Sequence, residues 1–379
     1  MKKANLSRFK GCMKRAQLGE ELTIGFLGGS ITQGSLAAEH ENTYAYRVYS
    51  WWKEAFPQAR FHYVNGGIGG TTSHYGVSRA VTDVLMYQPD IVVVDFSVND
   101  ESDSFFQETY EGVIRRLLTW DSHPAVVLLN NVFYDTGVNA QEYHNAVGDW
   151  YQVPHVSIRD TVWQRMKAGE YERADLTPDG LHPNDKGHGL VAGEIIAFLE
   201  DVKAHLEETE EENLLPEAMT ENAYEHAKRL TIREISPVLD GFRADTEEKM
   251  GHLDHFKNGW IGKRSGDKIT FEIEASCIAV QYRKTICRPA VRAKLVLDGD
   301  EENGILLDGN FDEDWGDCLY LETVLHHGIP QGHPIMHDLA GRADFVRQSM
   351  EKKHKIEITV LEDEIKDAAP FYLMALVVA

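Results

Sequence analysis

The sequence predicts an α/β protein: a three-layer α/β/α domain on a doubly wound, parallel five-stranded sheet, followed by a C-terminal, jelly-roll-like β-sandwich. Three observations carry this. The chain has 379 residues, too many for one ordinary core. From Leu22 to about His205 apolar runs alternate with helical patterns, and β-branched stretches such as Ile91-Val92-Val93-Val94 suit strands buried on both faces. Beyond an acidic stretch the period changes to two, without helices between the strands.

The first-half strands read LTIGFLG from Leu22, RFHYVNGG from Arg60, DIVVVDFS from Asp90, PAVVLLNNVF from Pro124 and PHVSI from Pro154. Helices are predicted over Thr43 to Ala55, Val77 to Met86, Tyr110 to Thr119 and Ala140 to Trp150. A last one starts at the N-cap Asn184 and shows an apolar face of Leu190, Val191, Ile195, Phe198, Leu199 and Val202. Five βα units with right-handed crossovers make a doubly wound domain, whose ligands sit beyond the carboxyl ends of the strands. The aromatic stretch Tyr44, Tyr46, Tyr49, Trp51 and Trp52 reads as the face that buries the first of these helices.

Between Glu200 and Glu221 lie nine acidic residues and one lysine. Residues 1–206 are therefore read as the first domain, 207–228 as an acidic linker or helix extension, and 229–379 as the sandwich. There KITFEIEASCIAVQYRK alternates from Lys268, and Asp298-Gly299 and Asp308-Gly309 read as hairpin turns. KHKIEITVLED and FYLMALVVA supply further strands, and the segment from Leu306 to Leu339 reads as a long irregular insertion.

A formal net charge of -23 argues against nucleic acid or an anionic membrane surface as partner. The four cysteines lack metal-ligand spacing, and no stretch has the roughly 18 apolar residues of a membrane span. The N-terminal stretch is basic without an apolar h-region, so a cytoplasmic location is expected.

Each strand end of the first half offers one polar group. Ser30 follows the first strand, Gly70 closes NGGIGG after the second, Asn99 lies in DFSVND after the third, and Asp179 and His182 sit in DGLHPND before the last helix. Their chemistry is complementary. A serine needs a base to become a nucleophile, an imidazole can take its proton, and a carboxylate fixes the tautomer and steadies the imidazolium. The N–H of Ser30, the N–H of Gly70 and the Asn99 amide would form the oxyanion hole. The GGS turn lacks the G-x-x-x-x-G-K-[ST] spacing and its lysine, so a phosphate loop is excluded.

These four blocks resemble the SGNH (GDSL-like) hydrolase superfamily over roughly residues 20 to 205. Ser30 matches the block-one serine, with Gly29 where many members carry Asp. Gly70 ends N-x-G-x-x-G, Asn99 matches block three with Ser97 in place of the usual glycine, and Asp179 and His182 match D-x-x-H-P. The resemblance implies an esterase with Ser30, Asp179 and His182 as catalytic residues and needs no metal or cofactor. The whole-chain architecture, with its carbohydrate-binding-like sandwich, is similar to carbohydrate esterase family 17. That implies an acetylesterase on acetylated oligosaccharides, with mannan fragments favoured. Xylan or pectin fragments, or another small acyl ester or thioester, remain as alternatives, and so does a carbohydrate-binding protein with an inactive hydrolase fold.

Trp315, flanked by acidic residues in the insertion, is expected at the surface as a stacking face for a sugar, on a loop reaching over the Ser30 site. The spacing of His326, His327, His333 and His337 is too irregular for a metal site to be assigned. A homo-oligomer is compatible with this reading.

Overall fold

The computed structural model describes residues 4–251, 253–331, 353–361 and 367–379. Its chain divides into two compact units, residues 1–226 and 227–379. In unit 1 the strands are β1 (Glu21–Gly28), β2 (Arg60–Gly67), β3 (Ile91–Asp95), β4 (Ala125–Asn130) and β5 (His155–Ser157), in the order β2-β1-β3-β4-β5. All neighbours are parallel, with Ile24 beside Tyr63 on one side and Ile91 on the other. β3 and β4 are buried throughout, as their unbroken apolar runs require. The order reverses between β1 and β3, so the loops leaving those two strands open a crevice at their carboxyl ends.

The helices are α1 (Ser7–Gln17), α2 (Ser30–Gln33), α3 (Tyr44–Ala55), α4 (Ser73–Asp83), α5 (Ser104–Leu118), α6 (Gln141–Tyr151), α7 (Val162–Lys167), α8 (Arg173–Leu176) and α9 (Asp185–Ala204). Helices α1, α3 and α9 share one core cluster with the sheet, through Phe9, Trp52, Val191 and Leu199 among others. In α3, Tyr44, Trp51 and Trp52 are buried, while Tyr46 and Tyr49 are half-buried and pack around Tyr63. Caps follow local chemistry. The Thr43 hydroxyl accepts from the Tyr46 N–H, Asp103 accepts from Phe106, and Asn184 accepts from Lys186 and Gly187. Helices α4 and α5 begin earlier than expected, at Ser73 and Ser104: the first turn of α4 is the mixed run SHYG, and in α5 the polar Gln107, Glu108 and Thr109 interrupt the apolar period between Phe106 and Tyr110.

Helix α9 stops at Ala204, and the segment after it is neither a helix extension nor a free linker. It is strapped to unit 1. Arg8 pairs with Glu212, the Asn213 amide donates to Gln152, and the Trp150 indole donates to the Glu217 carbonyl. The buried Glu111 carboxylate accepts from the Thr220 N–H at 2.8 Å, and also from the Met219 N–H, the Thr220 hydroxyl and the Tyr151 hydroxyl.

Unit 2 is a sandwich of two antiparallel sheets. One orders Ile305–Asp308, Arg292–Leu297, Lys353–Val360, Lys268–Glu274 and Val238–Asp240. The other runs Ile329–Pro330, Cys318–His326, Ile278–Lys284, Phe371–Val378, Trp260–Gly262 and Arg243–Ala244, with Lys228–Leu230 also paired to Phe371–Val378. Ile269, Phe271 and Ile358 from the first sheet meet Val280, Tyr282 and Leu373 from the second in one core. The insertion expected to be irregular contains the nine-residue strand Cys318–His326. A register shift at Ile278/Ala279, where it pairs with Ile278–Lys284, breaks the alternation that would have revealed it. No helix among the described residues is long and apolar enough to cross a membrane.

One buried cation fastens the site edge of unit 1. Arg79 of α4 is 2% exposed, and its guanidinium donates to the Gly28 carbonyl at 2.8 Å, to the Gly66 carbonyl, to the Thr71 hydroxyl at 3.2 Å and to Asp83 at 2.8 Å. Replacing it with methionine leaves two carbonyls and Asp83 without their donor. Arg79→Met is expected to lose about 3–5 kcal/mol of stability. Urea unfolding at unchanged m-value reads this directly, and a loss below about 1 kcal/mol would mean that the clamp is dispensable.

Candidate active site

Ser30 emerges where β1 gives way to the four-residue helix α2. The turn needs glycine for space, because a Cβ on Gly29 would lie 2.2 Å from Asn99 Oδ1 and one on Gly28 would lie 2.3 Å from Thr32 Oγ1. The Gly29 N–H is held by the Asp95 carbonyl at the end of β3, at 3.2 Å. Gly34, at φ 103°, ends the helix.

His182 reaches Ser30 from the loop before α9. Its Nε2 lies 2.8 Å from Ser30 Oγ, and its Nδ1 lies 2.7 Å from Asp179 Oδ2. The other Asp179 oxygen accepts from the Leu181 and His182 N–H groups at 2.9 and 2.8 Å and from the Thr177 hydroxyl at 3.1 Å. Partial burial opposes ionisation of Asp179, but the His182 ring and the two backbone amides outweigh it and bring its carboxyl down to about 2. An ionised Asp179 accepts from Nδ1–H, so Nε2 is the ring's acceptor toward the serine hydroxyl. The loop turns at Gly180, φ 83°, where a Cβ would strike Asp135 at 2.1 Å.

Of the two remaining expected residues, Asn99 lies beside the serine turn and Gly70 follows the glycine that approaches it. Asn99 lies against Gly29, as the 2.2 Å approach requires. Gly70 adopts φ 66° at the exposed end of the loop after β2. The preceding Gly69 is beside Ser30, since a Cβ on it would lie 3.6 Å from Ser30 Cβ. Ser97, in place of the motif glycine, is fully buried and donates its hydroxyl to the Asn131 carbonyl at 3.0 Å, so the departure is absorbed by a hydrogen bond.

Trp315 belongs to unit 2. Its ring is 55% exposed and packs edge-on against Phe311 at 5.0 Å, with its N–H donating to Glu313 at 2.5 Å. His326 and His327 are buried at the end of Cys318–His326 with rings 4.3 Å apart, whereas His333 and His337 lie outside the described residues.

Gln33 and His144 carry no role in the sequence reading, whereas Asp100 beside the third block is there a local capping or hydrogen-bonding residue. Gln33 accepts the Gly69 N–H at 2.6 Å, and the Asn65 amide donates to the Thr32 carbonyl at 2.8 Å, so the two loops flanking Ser30 are tied to each other. Asp100 accepts the Ser73 N–H at 2.8 Å and contacts His144 Nε2 at 3.0 Å. His144 stacks on Tyr110 with ring centroids 3.6 Å apart. Asn65 and Asp100 sit inside the motif blocks themselves, and that adjacency was the available signal.

The comparisons with known proteins agree with this geometry. A family model for GDSL-like lipases/acylhydrolases matches residues 26–190. A crystal structure of a two-domain esterase active on acetylated mannans, with mannopentaose, is 45% identical over 99% of this chain and 95% of that one, with a TM-score of 0.90. The chain belongs to the GDSL-like lipase/acylhydrolase family. This hydrolase also matches a second structure described as a two-domain esterase active on acetylated mannans, at 45% identity, 99% and 96% coverage and a TM-score of 0.91. No curated protein matches it. It is a carboxylic ester hydrolase.

The loop around the serine also carries an acid-sensitive joint. His188 of α9 is fully buried, and its Nδ1 accepts the Tyr44 N–H at 3.3 Å while its Nε2 faces the Ser35 carbonyl at 3.2 Å. Burial pushes the ring down from 6.5 to about 4. The unfolded chain thus binds the proton first, so stability should be full above about pH 6.5 and fall as pH drops toward 4. His188→Gln should show a shallower acid-side loss, by up to about 3 kcal/mol between these limits. Identical slopes for variant and wild type in pH-dependent denaturation would refute this.

Proposed function

We propose that this hydrolase is a serine O-acetylesterase that removes acetyl groups from acetylated manno-oligosaccharides. The observation that carries the mechanism is the unbroken chain from Ser30 Oγ through His182 to Asp179, at 2.8 and 2.7 Å. The substrate class is supported by the 45% identity, over nearly the whole chain, to a two-domain esterase active on acetylated mannans.

In this reading Ser30 Oγ attacks the acetyl carbonyl while His182 Nε2 takes its proton, and Asp179 stabilises the imidazolium. The tetrahedral oxyanion is met by the Ser30 and Gly70 N–H groups and the Asn99 amide. As the ester C–O bond breaks, His182 gives the proton to the leaving sugar oxygen, which departs as a hydroxyl, and acetyl-Ser30 remains. A water that His182 deprotonates then attacks the acetyl carbonyl, and His182 returns the proton to Ser30 Oγ as acetate leaves. The unit 2 sandwich serves as a carbohydrate-binding module, with the exposed Trp315 ring as a stacking face and Glu313 and its acidic neighbours as acceptors for hydroxyl groups.

Acetate release should be faster from acetylated manno-oligosaccharides than from their xylo- and pectic counterparts, and a reversed preference would refute the assignment of the sugar. Ser30→Ala should lower kcat by about 10⁴-fold or more on any acetyl ester, and survival of activity would refute the nucleophile. Trp315→Ala should raise KM for the oligosaccharide several-fold, roughly the 1–2 kcal/mol of a stacking contact, and spare a small aryl acetate. Equal damage to both substrates would remove Trp315 from sugar recognition.

A further inference from the structure

Beneath the nucleophile turn lies a carboxyl group that the acyl-transfer chemistry does not use. Asp95, the last residue of β3, is 2% exposed. Its Oδ2 accepts from Thr32 Oγ1 at 3.1 Å and from Asn131 Nδ2 at 2.9 Å, and its backbone carbonyl holds the Gly29 N–H at 3.2 Å. Thr32 lies on α2, two residues after Ser30, and its hydroxyl is also 2.7 Å from the Tyr44 hydroxyl. Thr32 donates to Asp95, so Tyr44 donates to Thr32, and one line of hydrogen bonds runs from α3 through α2 to the end of β3.

The pattern of satisfaction on this group is uneven. Oδ2 takes two donors, whereas Oδ1 is buried with none. The partner amide shows the same imbalance: Asn131 donates through Nδ2, and its Oδ1 is likewise buried without a donor. Two buried acceptors are thus left over on two planar groups already joined by one hydrogen bond. A buried acceptor left unmet is destabilising. A single proton resolves both. A carboxylic acid and a carboxamide pair edge to edge, the amide N–H donating to the acid's carbonyl oxygen and the acid's O–H donating to the amide oxygen.

We propose that Asp95 is a neutral carboxylic acid below neutral pH, donating from Oδ1 to Asn131 Oδ1, and that this joint positions the short helix carrying Ser30. The surroundings favour that state. Burial pushes the Asp95 carboxyl up to about 7, the Thr32 and Asn131 hydrogen bonds pull against that, and the neighbouring Asp100 adds to the rise. The other titratable groups coupled to it are Tyr44 from α3 and Tyr110 from α5, both held neutral by burial, while His144 faces Asp100. None of these offers Asp95 a positive partner. A four-residue helix has little stability of its own, so its orientation depends on such side-chain ties. Asp95 is a positioning residue here, since it touches the helix and not the ester. The positioning half of the inference rests on Ser30 being the nucleophile, and the protonation half does not.

Asp95→Asn is the decisive variant, because an asparagine copies the neutral acid: its oxygen takes the two donors and its NH₂ supplies the donor for Asn131. If Asp95 is an acid, the folded state holds the proton more tightly than the unfolded chain, so wild-type stability falls as pH rises through about 7. Asp95→Asn should then keep kcat within about twofold of wild type near pH 6 and gain stability relative to it as pH rises to about 8. Asp95→Ala should lower kcat at least about tenfold with little change in KM for a small aryl acetate. Carbon-13 NMR of aspartate-labelled protein should show one side-chain carboxyl titrating near neutrality and missing from Asp95→Asn. The proposal is overturned if no such resonance exists, or if Asp95→Asn is less stable than wild type by the same amount at every pH, as loss of an ionised carboxylate would make it. If the resonance and stability behave as expected while Ser30→Ala stays active, the acid survives and only the nucleophile assignment falls.

Discussion

A parallel sheet that ends in a catalytic edge must satisfy its last carbonyls without closing that edge. At the end of β1 and β2 the ladder runs out, and the chain turns away into Ser30 on one side and the loop to Gly70 on the other. Arg79 meets the need from below, donating to the Gly28 and Gly66 carbonyls and to Thr71. A planar guanidinium with several donors in fixed directions does this where a lysine would not. The two loops therefore start from carbonyls held by the same side chain, so Ser30 and the Gly69-Gly70 turn share a common floor.

On that floor the site is assembled from short, individually weak pieces. The helix carrying Ser30 is one turn long, and the loop carrying His182 has no regular structure. Rigidity comes instead from side chains that reach back to the backbone: Asp179 to the Leu181 and His182 amides, Asn65 to Thr32, Gln33 to Gly69. Such ties fix donors before any ester arrives, which is the condition for electrostatic stabilisation without reorganisation. Glycine serves this packing through volume as much as through conformation, since Gly29 has an ordinary φ of -88° and yet no room for a Cβ.

What was legible in the sequence follows from where the constraints act. β1 to β5 were visible because burial on both faces demands unbroken apolar runs, and Ser30, Asp179 and His182 because they lie in short local motifs. The Cys318–His326 strand was hidden, as its pairing slips register and mixes exposed and buried positions. Helix α1 is masked in the sequence by the basic residues interleaved with Phe9, Met13 and Ala16, which it buries. Arg79, Asp95 and Asn131 could not be read at all. The Gly28 and Gly66 carbonyls that Arg79 holds are 51 and 13 residues from it, and Thr32 and Asn131 are 63 and 36 residues from Asp95, so only the folded sheet brings these groups together. Ser97 shows the converse: a motif position changed in identity, with the lost glycine compensated by a new hydrogen bond to Asn131.

The strap after α9 bears on how the chain can be divided. Charge density marks residues 200–221 as the natural place to cut, yet the catalytic unit extends to His226. A fragment ending at residue 206 would strip Glu111 of the Met219 and Thr220 donors while leaving its carboxylate against Tyr151 inside the fold. Such a fragment would keep Ser30, Asp179 and His182 and lose the ties that hold its own last segment. The acidic stretch is the seam allowance of the catalytic unit, and an excised gene must include it.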